Sequence, residues 1–132
     1  MIVIDASALT AFIMKEESYQ YISSYIKECI SVDHIIKEVG NSIWKAYVRG
    51  YISNNDAIKR FEILIKLMKN VIQLISEIDL IEEAMKIAME NKITIYDSLY
   101  IALAFKKKIP LLTIDNTQAK IAKKYNLEVV KP

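Results

Sequence analysis

The strongest constraint on the fold is a rhythm. Short apolar runs that stop at a carboxylate alternate with stretches of helical periodicity. Met1–Ile4 is apolar and ends at Asp5, and Pro110–Ile114 ends at Asp115. Short, uniformly apolar runs read as strands buried on both faces, the pattern of a parallel sheet covered by helices. Between them, Ser7 to about Lys15 reads as helix. Ser18 to about Ile30 carries Tyr21, Ile22, Tyr25, Ile26 and Cys29 at helical spacing, and a short strand is expected near Ile30–Asp33. His34–Arg49 is helical, with Ile35, Val39, Ile43, Ala46 and Tyr47 on one face. Asn54 or Asn55 is placed to cap a helix to about Lys69, and Asp79 one to about Asn91. Tyr96–Lys107 and Asn116 to about Tyr125 read as helices, and Asn70–Ile75 and Leu127–Val130 as strands. The expected fold is α/β. It is a three-layer domain with a central parallel sheet of about five short strands flanked by about seven helices, joined by right-handed crossovers. Such sheets bind ligands beyond the carboxyl ends of their strands.

Composition narrows the function. With 132 residues and no repeat, linker or low-complexity tract, residues 1–132 read as one domain. A hydrophobic content of 53% excludes a disordered chain, and 2 glycines and 2 prolines argue against an all-β fold built on tight turns. The single cysteine, Cys29, excludes a disulfide framework and thiolate metal sites. The single histidine, His34, excludes multi-histidine metal sites, and it reads as structural. No uncharged run approaches the roughly 18 residues of a membrane span. The opening MIVID lacks the basic segment of a secretory signal. A cytoplasmic protein with no membrane partner is expected. A net charge of +2 is too small to argue nucleic-acid binding by itself.

Of the 16 acidic residues, most lie in charged, solvated surroundings, and four do not. Asp5 and Asp115 follow apolar strands. Asp97 opens a largely apolar helix, and Glu38 lies in the first turns of a helix after a strand. Taken singly, each Asp reads equally well as a helix cap, and Glu38 as a partly buried ion-pair partner. A parallel sheet, however, brings all four positions to one edge. Four acids that close need a compensating cation. Oxygen ligands without His or Cys select hard ions, Mg²⁺ or Mn²⁺. Such ions activate water and orient phosphodiesters, so metal-assisted phosphodiester hydrolysis is the chemistry these residues point to. A phosphoacceptor receiver domain would need paired acids after the first strand, but Ala6 follows Asp5. A dehalogenase-type phosphatase would need Asp-x-Asp, but the third position is Ser7. No glycine-rich nucleotide loop is present.

In order and spacing, four segments resemble the PIN-domain nucleases, and within them the VapC-type toxin ribonucleases of toxin–antitoxin pairs. They are IVIDASAL at the start, EVGNSIWK at Glu38–Lys45, YDSLYIALA at Tyr96–Ala104 and LLTID at Leu111–Asp115. The resemblance covers essentially the whole chain. It implies a parallel-sheet PIN fold in which Asp5, Glu38, Asp97 and Asp115 hold one or two Mg²⁺ or Mn²⁺ ions, directly or through water. It implies that Ser7 and Thr113 lie beside the site, where hydroxyls orient a water or ligand, and that Asn41 faces the cleft. The implied activity is endonucleolytic RNA cleavage leaving a 5′-phosphate and a 3′-hydroxyl. The implied partners are the RNA substrate, a small antitoxin protein and a second copy of the chain in a homodimer. One departure stands out: after Asp115, where many relatives carry another acid or an aromatic residue, the chain reads Asn116-Thr117-Gln118-Ala119. Two other readings share the fold: an RNA-processing nuclease outside a toxin–antitoxin pair, and a non-catalytic binding or assembly module. Metal binding separates the module from the nucleases.

The remaining features are less specific. Lys37, Lys45 and Arg49 lie on or beside the Glu38 helix, and Lys45 and Arg49 share a face; they are candidates for phosphate contacts or a solvated surface. Lys106, Lys107 and Lys108 complement the end of the Asp97 helix. Trp44 and the 8 tyrosines supply rings for base stacking or for packing. The first two helices, with Tyr19, Tyr21 and Tyr25 beside Ile22 and Ile26, are expected to form part of a dimer or antitoxin surface. Gly40, inside the Glu38 helix, suggests a close helix contact.

Overall fold

A computed structural model describes all residues 1–132. The apolar runs form one wholly parallel sheet of five strands: β1 (Ile2–Ile4), β2 (Cys29–Val32), β3 (Gln73–Ile75), β4 (Leu111–Leu112) and β5 (Val129–Val130). Their order is β3-β2-β1-β4-β5, and β1 is central, with Val3 opposite both Ile30 and Leu111. The helices are α1 (Ala6–Ile13), α2 (Tyr19–Ser23), α3 (Ile35–Val48), α4 (Asn54–Asn70), α5 (Ile81–Asn91), α6 (Ile95–Lys107) and α7 (Asn116–Lys124). The chain steps from β1 to β2 to β3 in one direction, then returns past β1 to β4 and β5. Right-handed crossovers therefore put α1–α4 on one face and α5–α7 on the other, the expected three layers. The direction reverses between β1 and β4, the switch point where an open α/β sheet leaves a crevice at its carboxyl edge.

The buried core contains 31 residues, drawn from every layer. Helix α6 is the most continuously buried: Ser98–Ala104 is enclosed without a break, lying across β1, β2 and β4 while α5 packs along it. Only three residues separate α6 from β4. Since β4 starts at the amino edge of the sheet, α6 must begin at the carboxyl edge, about 20 Å away at 1.5 Å per residue. Helices α3 and α4 pack closely, and Gly40 is where they meet: a Cβ there would lie 3.2 Å from a ring carbon of Phe61. With so few glycines, α5 and α6 end on Lys92 and Lys108 in left-handed conformation, φ 55° and 57°.

Several local expectations fail. The helix expected over Ser18–Ile30 is only α2 and a separate 3-10 turn at Ile26–Glu28, and Cys29 already belongs to β2. The helical spacing there is real, but pairing Cys29 and Ile30 between β1 and β3 outweighs local preference. Ser53, not Asn54 or Asn55, caps α4: its hydroxyl accepts from the Asp56 N–H at 3.1 Å. Asp79 does not cap α5, because Glu77–Asp79 forms a 3-10 turn anchored by Asp33, which accepts from the Glu77 N–H at 3.0 Å. Of the side chains expected on a partner surface of the first two helices, Tyr21 is exposed while Ile22 and Ile26 are buried, and further exposed apolar side chains stand on α3 and α4 (Trp44, Tyr47, Val48, Ile58, Phe61) and on α5 (Met85, Met89).

Candidate active site

The four acids singled out by sequence stand at the carboxyl edge of the sheet, two on strand ends and two on the first turns of helices. Asp5 leaves β1 in extended conformation and caps α1, accepting from the Ala8 N–H at 3.0 Å. Its side chain is the most enclosed of the four, with 3% exposure. The Ser7 hydroxyl donates to Oδ1 at 2.7 Å and the Thr113 hydroxyl to Oδ2 at 2.5 Å. The two hydroxyl oxygens lie 3.1 Å apart. Ser7 also accepts from the Ile114 N–H, and Thr113 from the Asp115 N–H. Ser7 and Thr113 thus sit beside Asp5 as clamps that join β1 to the segment after β4. Burial pushes the Asp5 carboxyl up to about 6, against the opposing pull of Thr113, Ser7 and Ala8.

Asp115 caps α7, accepting from the Gln118 N–H at 3.0 Å. Asp97 is the third residue of α6, whose cap is Thr94. Burial raises the Asp97 carboxyl, and the negative fields of Glu38 and Asp115 raise it further. Gln118, within the run after Asp115 where an acid or an aromatic residue is expected, is buried and donates from Nε2 to the Asp97 carbonyl at 2.9 Å. It holds the starts of α6 and α7 together. Sequence reading named Gln118 only as a departure; its place one helical turn after a capping aspartate was the available signal.

Glu38 stands in the first turn of α3 beside two residues that sequence reading gave no role in the site. The Tyr100 hydroxyl donates to Oε1 at 2.5 Å. His34 Nε2 lies 2.9 Å from the same oxygen, a close contact without the alignment of a directed hydrogen bond. The His34 ring is buried against Tyr100, with centroids 4.9 Å apart. Burial would raise the Glu38 carboxyl, but His34 and Tyr100 together hold it below the usual range. Burial and the Glu38 charge raise the Tyr100 hydroxyl far above its usual range, so it stays protonated and donating. Asn41, one turn on, lines the same cleft as Glu38.

The carboxylates feel one another, yet no three of them close around a single point. The donor set is oxygen-only, which fits a hard divalent cation in chemistry, with Asp5, Glu38, Asp97 and Asp115 the groups available to hold it.

The model of the PIN domain family matches residues 2–124. The chain therefore belongs to the PIN domain family, and its sheet and helices are those of VapC structures. It is 31% identical over 121 residues to ribonuclease VapC3 of Pyrobaculum aerophilum, which spans 89% of this chain and 92% of that protein. Among solved structures it resembles PAE2754 from Pyrobaculum aerophilum, with TM-score 0.76 and 22% identity over 98% of this chain and 90% of that one. It also resembles VapC20 of Mycobacterium tuberculosis, described as a sarcin-ricin loop cleaving toxin, with TM-score 0.71 and 15% identity over the full length of both chains. No helix is long and apolar enough to cross a membrane.

Proposed function

We propose that this chain is a Mg²⁺- or Mn²⁺-dependent endoribonuclease and the toxin of a toxin–antitoxin pair. The observation that carries the reading is the joint placement of Asp5, Glu38, Asp97 and Asp115 at the carboxyl edge of one sheet, where burial first and then the fields of Glu38 and Asp115 raise the Asp97 carboxyl. Acids held where they repel one another favour a cation between them. Similarity to a curated VapC ribonuclease supports RNA as the substrate and an antitoxin as the partner.

In this reading Asp5, Asp97 and Asp115 would hold the ion, with Glu38 joining directly or through water. When bound, the ion supplies Lewis acidity toward water and the phosphodiester. Asp5 is oriented by Ser7 and Thr113, whose hydroxyls fix both oxygens of its carboxylate. Gln118 fixes the backbone that presents Asp97. Tyr100 stays protonated and fixes Glu38. Lys45 on α3 and Arg49 just past its end, both exposed, contact phosphates flanking the scissile bond. The protein acts in the cytoplasm, as a homodimer, and leaves a 5′-phosphate and a 3′-hydroxyl.

The test is cleavage of a mixed-sequence single-stranded RNA with Mn²⁺, alongside thermal unfolding. Wild type cuts, and Mn²⁺ at one hundred times Kd stabilises it by about 2.7 kcal/mol. Asp97→Asn loses at least about a hundredfold in rate while its metal-free midpoint holds or rises. Full activity in Asp97→Asn overturns the site. No thermal response to Mn²⁺ in wild type, with no cleavage, leaves the non-catalytic module as the better reading.

A further inference from the structure

Next to the acidic edge lies a cleft of about 360 Å³ between α3, α5 and α6. That falls in the range of small-molecule pockets, about 300–1,000 Å³. Glu38 belongs to both the edge and the cleft, so whatever occupies the cleft lies beside the site of chemistry. Its apolar part is Ile81, Ile95 and Leu99, and the Tyr96 ring stands at the mouth, 57% exposed. An aromatic ring over an apolar floor suits a flat, unsaturated ligand. The inner wall includes His34, which is 4% exposed and whose Nδ1 has no partner. The rim carries Asn41 and Glu77, and the Glu77 carboxylate forms no ion pair. Two carboxylates, Glu38 and Glu77, face a single ammonium, Lys37, which disfavours a phosphate inside and favours a neutral group that donates hydrogen bonds.

The geometry points to this cleft as a nucleobase subsite, which takes one base of the RNA next to the scissile phosphate and prefers a base with an exocyclic amino group. The inference rests on the nuclease reading for its role and on the cleft itself for its ligand. The base stacks on Tyr96 above Ile81 and Ile95. The Glu77 carboxylate accepts from the exocyclic amine of adenine or cytosine, and the Asn41 amide matches the adenine edge as both donor and acceptor. Uracil presents a carbonyl where cytosine presents its amine, and a carboxylate there repels it.

Neutral nucleosides test the ligand without metal or phosphate. In methyl-labelled protein, adenosine and cytidine shift the Ile81 and Ile95 methyl resonances, and uridine binds about tenfold more weakly. Tyr96→Ala weakens adenosine about tenfold. Glu77→Gln removes the advantage of adenosine and cytidine over uridine while the remaining methyl spectrum stays folded. In RNA pools cut by wild type, Tyr96→Ala flattens the base preference at one position beside the cut. If no nucleoside moves these methyls up to its solubility limit, the subsite is overturned, and RNA cleavage by the same sample leaves the nuclease reading standing. If argininamide moves them and nucleosides do not, the subsite is also overturned, and the cleft takes a cationic side chain of a protein partner. If nucleosides bind but no RNA is cut, the pocket stands and its role as a substrate subsite falls.

Discussion

Asp5 and Glu38 stand on the same sheet edge, both accept hydroxyl hydrogen bonds, and they answer burial in opposite directions. Asp5 receives two hydroxyls and a backbone N–H and is still pushed up to about 6. Glu38 receives one hydroxyl and the contact with His34, and is held low. Neutral donors do not offset full desolvation of a carboxylate. Partial exposure plus a group able to carry positive charge does. One arm of the edge therefore carries unrelieved electrostatic cost, and the other is internally compensated.

The sharpest way to break this comparison is Asp5→Asn. Asp5 binds its proton more tightly folded than unfolded. Its contribution therefore favours folding below about pH 4 and is lost as pH rises to about 6. Asp97, also raised, has the same sign. At pH 7, without divalent metal, Asp5→Asn is expected to raise stability by about 2–3 kcal/mol, several degrees in midpoint. A lowered midpoint would mean that the hydrogen bonds outweigh burial. Next in size is Tyr100→Phe, which removes one bond to a carboxylate and costs about 1 kcal/mol by urea unfolding at pH 7; no loss would mean that His34 alone holds Glu38. Smallest is Glu38→Gln, a loss under about 1 kcal/mol at pH 7, with a diagnostic slope. Glu38, held low, contributes stability that is present above its unfolded value and lost as pH falls through its folded one. The wild-type slopes of Asp5 and Glu38 oppose each other only where both groups titrate, near and below about pH 4.5; above it, of the two, Asp5 acts alone. Midpoints should fall more steeply with rising pH in Glu38→Gln than in wild type, and least in Asp5→Asn. Identical slopes in all three proteins would dissolve the contrast.

What sequence reading captured and missed has the same physical root. Strands β1 and β4 were legible because each is apolar and stops at an aspartate that turns the chain into a helix. The placement of the four acids followed from topology, which depends only on element order. Helix caps were less legible: Ser53 and Asn54 are equally good cap formers, and only the backbone geometry of Ser53 decides. The break after α2 was hidden because helical spacing and a four-residue buried strand share the residue Cys29. His34 and Tyr100 were hidden for another reason. They are 66 positions apart and meet only when α3 and α6 converge on Glu38, a juxtaposition no local pattern records.

The clamp on Asp5 also orders events in time. Asp5 is synthesised 108 residues before Thr113, the hydroxyl that fixes it, and β1 must wait equally long for β4 to pair beside it. A partly translated chain can form α1, β2 and the α3–α4 pair, yet its first aspartate remains unclamped and Asp115 does not exist. Until Thr113 and Asp115 have been made, then, the edge is electrostatically unfinished. An enzyme proposed to cut RNA acquires its cutting edge only after β4, Thr113 and Asp115 have been made and folded against β1.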